Sequence, residues 1–255
     1  MFKRLFSRGL RLRANPAAIP DGQRVYAIGD IHGCDDQLAD LLARIDADDQ
    51  ARGGAPALLV FLGDLVDRGP KSAQVVQRLI DLQQTRGNCR FLSGNHEEVF
   101  VRALSGDLRT LRFFIRIGGD ATLKSYGISE AEYRDADYAD LLALAQQRVP
   151  PAHLTFIDSF EQIIRIGDYV FVHAGIRPDV ALDDQKTSDL RWIREEFLEV
   201  DEYGIDGVII HGHTIFDTVS YGRNRIGIDT GAYAGGPLTA LGLENAERWI
   251  LQTDV

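Results

Sequence analysis

Cysteine is nearly absent from this chain: Cys34 and Cys89 are the only two in 255 residues. Two are too few for a disulfide framework, which points to a reducing compartment and a cytoplasmic protein. Cys34 follows a glycine-marked motif and Cys89 opens an apolar run, so both are expected to fill core space. Long apolar stretches are missing too, and none approaches the eighteen or more residues of a spanning helix. Positive charge is scarce, with 28 Lys and Arg against 38 Asp and Glu and a net charge of −10. Phosphate backbones need a basic surface, so this balance excludes a general nucleic-acid binder, although a local basic site can hide within an acidic total.

The first fourteen residues run against that balance. Lys3, Arg4, Arg8, Arg11 and Arg13 alternate with Phe2, Leu5, Phe6, Leu10 and Leu12. The arginines break the apolar stretch that a secretory signal needs. A basic amphipathic surface helix and a frayed or self-docking terminus both fit. Residues 1–20 are read as a basic N-terminal extension and 21–255 as one domain. With 45% hydrophobic residues, that domain is long enough to bury one sizeable core.

Short apolar runs bounded by glycine read as buried strands. Val25 to Ile28 ends in Gly29-Asp30, Leu58 to Leu62 in Gly63-Asp64, and Arg90 to Leu92 leads to Gly94-Asn95. Between them lie helical patterns: Leu38, Leu41, Leu42 and Ile45, then Val75, Val76, Leu79 and Leu82, the second closed by Gly87. Strand, helix, strand, helix, strand makes a parallel unit whose ligands belong at the carboxyl ends of its strands. From Glu97 to about Phe160 the pattern is helical, with one acidic helix expected from about Glu130 to Gln147 and stopped by Pro150-Pro151. Residues 97–160 are read as a helical insertion over or beside the site, or equally as core helices remote from it; His153 is the one isolated imidazole there. From Gln162 onward strands dominate, beginning with a hairpin about Gly167-Asp168. The expected fold is α/β, with two packed mixed sheets flanked by helices.

Five short motifs follow one another at the ends of these runs: Gly29-Asp30-Ile31-His32-Gly33, Gly63-Asp64-Leu65-Val66-Asp67-Arg68-Gly69, Gly94-Asn95-His96-Glu97, His173-Ala174-Gly175 and His211-Gly212-His213-Thr214. Each is weak by itself. Asp-x-His is commonly a surface pair, Gly-Asp a turn, Asn95-His96 a helix start, and a single histidine a core residue. Five in order, each after an apolar run, offer enough oxygen and nitrogen donors for two divalent metals and narrow the function to phosphoester hydrolysis. Two metals about 3.5–4 Å apart clamp the attacking and leaving oxygens of an in-line displacement, and a carboxylate can bridge them. Strand periodicity would put Asp30 and His32 on one face.

With these motifs the chain, from about Val25 to Thr253, resembles the calcineurin-like metallophosphoesterases, and within them the phosphoprotein phosphatase branch with its bacterial and phage members. The resemblance implies that Asp30 and His32 bind a first metal, that Asp64 bridges, and that Asn95, His173 and His213 bind a second. It implies His96 as general acid with Asp67 as its carboxylate partner, and Arg68 as a phosphate-binding catalytic residue. Asn95 also faces the substrate phosphate in this scheme. A hydroxide bridging two dications is a nucleophile at neutral pH, an imidazolium held by a carboxylate can protonate a leaving oxygen, and an arginine fork matches phosphate. A salt bridge at a helix start is the alternative for Arg68.

The final motif has Ile215 where the phosphodiesterase branch has a further histidine, which favours the phosphatase pattern. His211 is taken as a core or supporting residue, and Arg194 rather than Arg191 as a second phosphate ligand. Bacterial diadenosine-tetraphosphate hydrolases resemble this chain at several motifs, including His173 to Arg177, but usually carry a small residue where Asp67 stands. The expected activity is therefore a dinuclear phosphomonoesterase, a serine/threonine or dual-specificity protein phosphatase. The alternative is hydrolysis of nucleotides or diadenosine polyphosphates, and a binding module without activity comes third. Manganese is the expected metal, and iron or zinc suit the same donors. The expected partner is a phosphoprotein or a small phosphorylated molecule.

Overall fold

The structure is a computed structural model that describes residues 16–54 and 57–254. Most of the basic N-terminal stretch, residues 1–15, lies outside the described residues. Strand β1 (Arg24–Ile28), helix α1 (Asp35–Arg52), strand β2 (Leu58–Phe61), helix α2 (Ser72–Arg86) and strand β3 (Cys89–Phe91) follow in the expected order. β1 runs parallel to β2, with Val25 opposite Leu58, and β2 parallel to β3, with Leu59 opposite Cys89. Strands β9 (Thr239–Glu244) and β10 (Glu247–Gln252) extend this sheet on the other side of β1, each antiparallel to its neighbour, giving the order β10-β9-β1-β2-β3.

A second sheet contains β4 (Ile164–Ile166), β5 (Tyr169–Phe171), β6 (Val208–His211), β7 (Ser220–Tyr221) and β8 (Arg225–Gly227) in the order β4-β5-β6-β8-β7. Its three central strands are parallel and its edges antiparallel. Side chains alternate across a strand, so each strand serves two cores. Val25 and Ala27 join Phe171, Ile210 and Ile226 between the sheets. Tyr26 and Ile28 instead join Leu38, Leu41, Val75 and Leu79 beneath the helices. On the far side of the second sheet, Val170 and Ile209 pack with Leu190, Ile193 and Phe197 of α9 (Thr187–Trp192), α10 (Glu195–Leu198) and their junction. The result is the four-layered α-β-β-α arrangement, and none of its described helices is long and apolar enough to cross a membrane.

The helical stretch comprises α3 (Asn95–Leu104), α4 (Leu108–Phe114), α5 (Asp120–Ser125), α6 (Glu130–Asp135), α7 (Tyr138–Arg148) and α8 (Pro151–Asp158). The single acidic helix expected over 130–147 is two. Ala136 is extended, and the Asp137 carboxylate accepts from Ala139 N (2.8 Å) and Asp140 N (2.9 Å), starting α7 afresh. Pro151 begins α8, where a missing N–H costs nothing. These helices bury Phe100, Leu111, Phe114, Leu141 and Phe156 in the same core as α2 and β3. His153 belongs to that core, with its Nδ1 on the Tyr126 hydroxyl (2.9 Å) and its Nε2 on Gln77 Oε1 (3.0 Å).

Before β1, residues 17–19 bridge both sheets. Ile19 N donates to Asn245 O in the β9–β10 turn (2.8 Å), and Ala18 and Asp168 exchange two hydrogen bonds at the β4–β5 turn (both 2.9 Å). Both turns lie at the amino ends of the parallel strands, away from the motifs.

Candidate metal centre

All five motifs leave the carboxyl ends of parallel strands and converge there. The geometry differs from strand periodicity, because β1 stops at Ile28 and His32 takes a left-handed backbone (φ 45°). It is not alone. Asp64 (φ 50°), Asp67 (74°), Arg68 (69°) and His213 (64°) are left-handed too, which makes five of the seven such non-glycine residues among those described. This conformation is unfavourable for side chains other than glycine, so the surrounding bonds must hold it.

Glu97 is one such restraint. It is fully buried at the start of α3, and its carboxylate accepts from Leu65 N (2.7 Å), Asp64 N (2.8 Å) and Gly94 N (2.9 Å). That single group ties the second motif to the third. Gly94 must be glycine for a related reason: a Cβ there would lie 2.1 Å from Asp64 Oδ1.

Asp64 sits at the middle. Its Oδ2 faces His32 Nε2 at 3.5 Å, and its Oδ1 faces His173 Nε2 at 3.4 Å. The opposite ring nitrogens, Nδ1 of His32 and of His173, each lie 2.8 Å from a carbonyl, of Val66 and Leu62. A carbonyl only accepts, so each Nδ1 holds a proton and each Nε2 turns toward Asp64. His173 Nε2 is also 3.0 Å from Asn95 Oδ1 and 3.2 Å from His213 Nδ1. Donor atoms bound to one ion at about 2.1 Å would stand roughly 3.0–3.4 Å apart, so this spacing suits a shared metal. Two groups could each hold an ion, His32 with Asp64 and His96, and Asp64 with His173 and His213. Asp30 stands beside them, accepting from His213 N with both oxygens (3.0 and 3.2 Å).

The electrostatics favour a cation. Burial, then the charges of Asp229 and Asp64, push the Asp30 carboxyl up, and burial takes Asp229 to about 6. Burial opposes ionisation of Asp64 as well, but His173, His96 and His32 outweigh it and hold this carboxyl well below its ordinary range. Burial similarly opposes charge on His173, yet Asp64 raises it. Burial pushes His32 down to about 3, leaving a neutral imidazole fit to ligate. His213 Nε2 is buried without a hydrogen-bond partner among the described residues. A divalent ion would convert the carboxylate repulsion into attraction and satisfy these donors, so the residues fit a metal pair.

Beside the cluster, His96 Nδ1 lies 2.6 Å from Asp67 Oδ2, and His96 Nε2 is 4.0 Å from Asp64 Oδ2. Burial works against a charged His96, but Asp64 and the Asp67 bond raise it above its usual range. Burial raises Asp67 also, so the pair retains a proton between them. Thr122, reaching in from α5, donates to Asp67 Oδ1 (2.7 Å) and accepts from Asp67 N (2.8 Å). Arg68 N donates to Gly118 O (2.9 Å), its Nη1 to His32 Nε2 (2.9 Å), and its guanidinium lies over the Tyr233 ring at 4.7 Å. Its charged end thus turns into the site rather than onto a carboxylate. Arg194 reaches Thr214 Oγ1 (3.4 Å), next to His213, whereas Arg191 is engaged by Glu98 (3.3 Å) and Gln162 (3.0 Å). His211 packs edge-on against Phe197 outside the cluster, as a core residue.

Sequence reasoning missed Glu97, Thr122, Asp229 and Tyr233. Glu97 alone carried a signal, as an acidic residue in the first turn of a helix after glycine.

The model of the family described as calcineurin-like phosphoesterase matches residues 23–238. The bis(5'-nucleosyl)-tetraphosphatase PrpE [asymmetrical] of Anoxybacillus flavithermus is 29% identical over 239 residues, covering 84% of this chain and 88% of the relative. The symmetrical bis(5'-nucleosyl)-tetraphosphatase of Neisseria gonorrhoeae is 26% identical, with 87% and 93% covered. Among solved structures, one provisionally assigned as a diadenosine tetraphosphatase has a TM-score of 0.64 at 22% identity, covering 94% of this chain and 99% of its own. A yeast serine/threonine phosphatase similar to human PP5 has a TM-score of 0.58 at 15% identity, with 94% and 84% covered. At such identities these structures establish the shared fold alone.

Proposed function

This chain belongs to the calcineurin-like phosphoesterase family, and from that premise we propose that it is a dinuclear-metal hydrolase of dinucleoside polyphosphates or related nucleotides. The observation that carries the dinuclear part is Asp64, whose two oxygens face separate imidazoles at 3.5 and 3.4 Å. Asp30, His32 and Asp64 would hold one ion, and Asp64, Asn95, His173 and His213 the other. When bound, the metal pair neutralises phosphate charge and activates a water. The substrate class is supported by the curated tetraphosphatases, which match more than four fifths of both chains.

The protein's own groups complete the reaction. Water adds to one phosphorus, the P–O–P bond opens, and the departing phosphate oxygen is neutralised. His96 presents Nε2 to the site while Asp67 holds Nδ1–H, so the imidazolium can give its proton to that oxygen. Arg68 and Arg194 offer N–H groups to the phosphate oxygens.

A protein phosphatase is the second reading, and the 2.6 Å Asp67–His96 pair favours it. An alkoxide leaving group needs a proton more than a phosphate does. Metal-reconstituted hydrolysis of diadenosine tetraphosphate, a phosphopeptide and an aryl phosphate decides between them. A kcat/KM for the dinucleotide at least about tenfold above the phosphopeptide is expected, a difference of roughly 1.4 kcal/mol in transition-state binding. The reverse order would replace the first reading with the second.

A further inference from the structure

A pocket of about 360 Å³ opens between α3, α4 and α9, lined by Glu98, Arg102, Arg109, Thr110, Phe113 and Trp192 among others. We propose that this pocket receives the nucleoside end of a nucleotide whose phosphates lie in the metal centre; this rests on the nucleotide reading above.

The pocket joins the site on both sides. Asn95 and His96 begin α3 and Glu98 follows within the same turn, a rise of about 5.4 Å per turn. On the other wall, Trp192 stands two residues before Arg194, which leans on Thr214 beside His213. A phosphate at the metals would thus have its next group directed toward this opening.

Its walls suit a flat, anionic-tailed molecule. The Trp192 and Phe113 rings have centroids 6.2 Å apart and planes inclined at 38°, a wedge open to solvent. Trp192 is held by its Nε1–H on Glu98 Oε2 (3.2 Å) and is still 37% exposed. Such rings stack any base, because every base has a π-face.

The charge is equally local. In this acidic chain Arg102 and Arg109 line the pocket, with Arg112 and Arg116 following on α4 and the turn after it. Among the described residues Arg102 alone of these has a carboxylate partner, Glu98 at 3.5 Å, and it is 65% exposed, so little of its charge is spent there. Arg112 lies over Tyr138 and Arg116 over Phe113. Unpaired guanidiniums beside aromatic faces match a nucleotide better than they match an apolar peptide.

Two measurements test the assignment. In Trp249→Phe, Trp192 is the only tryptophan left, and adenosine 5′-monophosphate should quench its fluorescence, with Phe113→Leu weakening that binding. In turnover, Trp192→Leu should lower the ratio of kcat/KM for diadenosine tetraphosphate to that for inorganic tripolyphosphate by about 5- to 150-fold, the loss of one stacked base. Arg109→Gln should lower the same ratio less. Absent quenching together with an unchanged ratio would overturn the pocket while leaving the hydrolase reading intact. Quenching in a protein that hydrolyses phosphopeptides and not the dinucleotide would sink the dinucleotide-hydrolase reading and keep the pocket as a nucleoside site.

Discussion

Replacing Thr122 with valine keeps the shape of the side chain and exchanges its hydroxyl for a methyl group. That hydroxyl is fully buried, donates to Asp67 Oδ1 at 2.7 Å and accepts from Asp67 N at 2.8 Å. Ser72 Oγ, 3.0 Å away, still satisfies the N–H, so the loss falls on the carboxylate. A hydrogen bond to a charged group is worth about 1.5–3 kcal/mol. Stability should fall by about 2–3 kcal/mol, or roughly 4–12 °C in Tm for a chain of this size. The catalytic effect has a definite sign. The Thr122 bond favours ionised Asp67, so its loss raises that carboxyl and moves the acid limb of the pH–rate profile upward. A less ionised Asp67 supports protonated His96 less well, so the basic limb moves down. The profile should narrow from both sides. Activity near its optimum should fall about tenfold, which corresponds to about 1.4 kcal/mol. Thr122→Ser should restore the width. The assay is dinucleotide hydrolysis across pH alongside thermal unfolding. A destabilised variant with an unchanged profile would refute the positioning role and leave Thr122 as a packing residue.

His96→Asn should lower turnover by about 10²–10⁴-fold while metal content stays at the wild-type level, as measured by elemental analysis. Chelation should abolish hydrolysis and divalent ions restore it; Asp64→Asn should lose both ions, and a variant that retained two would remove Asp64 as the bridge. Gly118→Ala places a Cβ 2.7 Å from Arg68 Cγ at a φ of +108°, so KM for phosphate substrates should rise severalfold through a displaced Arg68. For stability, His211 stays neutral in the fold down to about pH 4, because burial opposes its charge, whereas the unfolded chain protonates it near 6.5. The unfolded state binds more protons in that window, so stability falls with pH by up to roughly 3 kcal/mol; His211→Phe should flatten that slope in urea titrations.

Much of this architecture is legible in the residues because buried strands write themselves as short apolar runs and glycine marks their rims. Val25 to Ile28 and Leu58 to Leu62 announce both their secondary structure and the site beyond it. The chemistry of His32 was legible for a reason that the backbone does not obey: a left-handed residue after the end of β1 aims it, and strand alternation does not. The acidic helical pattern from about Glu130 to Gln147 hid a break, since Asp137 caps a helix only through where its carboxylate points. Thr122 lies 55 residues from Asp67. Nothing local distinguishes its hydroxyl from that of any helix threonine, and only the packing of α5 against the second motif gives it a role.

The bridge formed by residues 17–19 also fixes an orientation. Because Ala18 and Ile19 are fastened to the turns at Asp168 and Asn245, the described chain enters at the pole opposite the metal centre. A surface, bead or fused protein joined ahead of Pro16 would therefore hold the molecule with its catalytic mouth facing outward. Immobilised this way, the protein should keep its solution KM for small substrates, whereas attachment through cysteines placed on α4 would cover the pocket between α3 and α4.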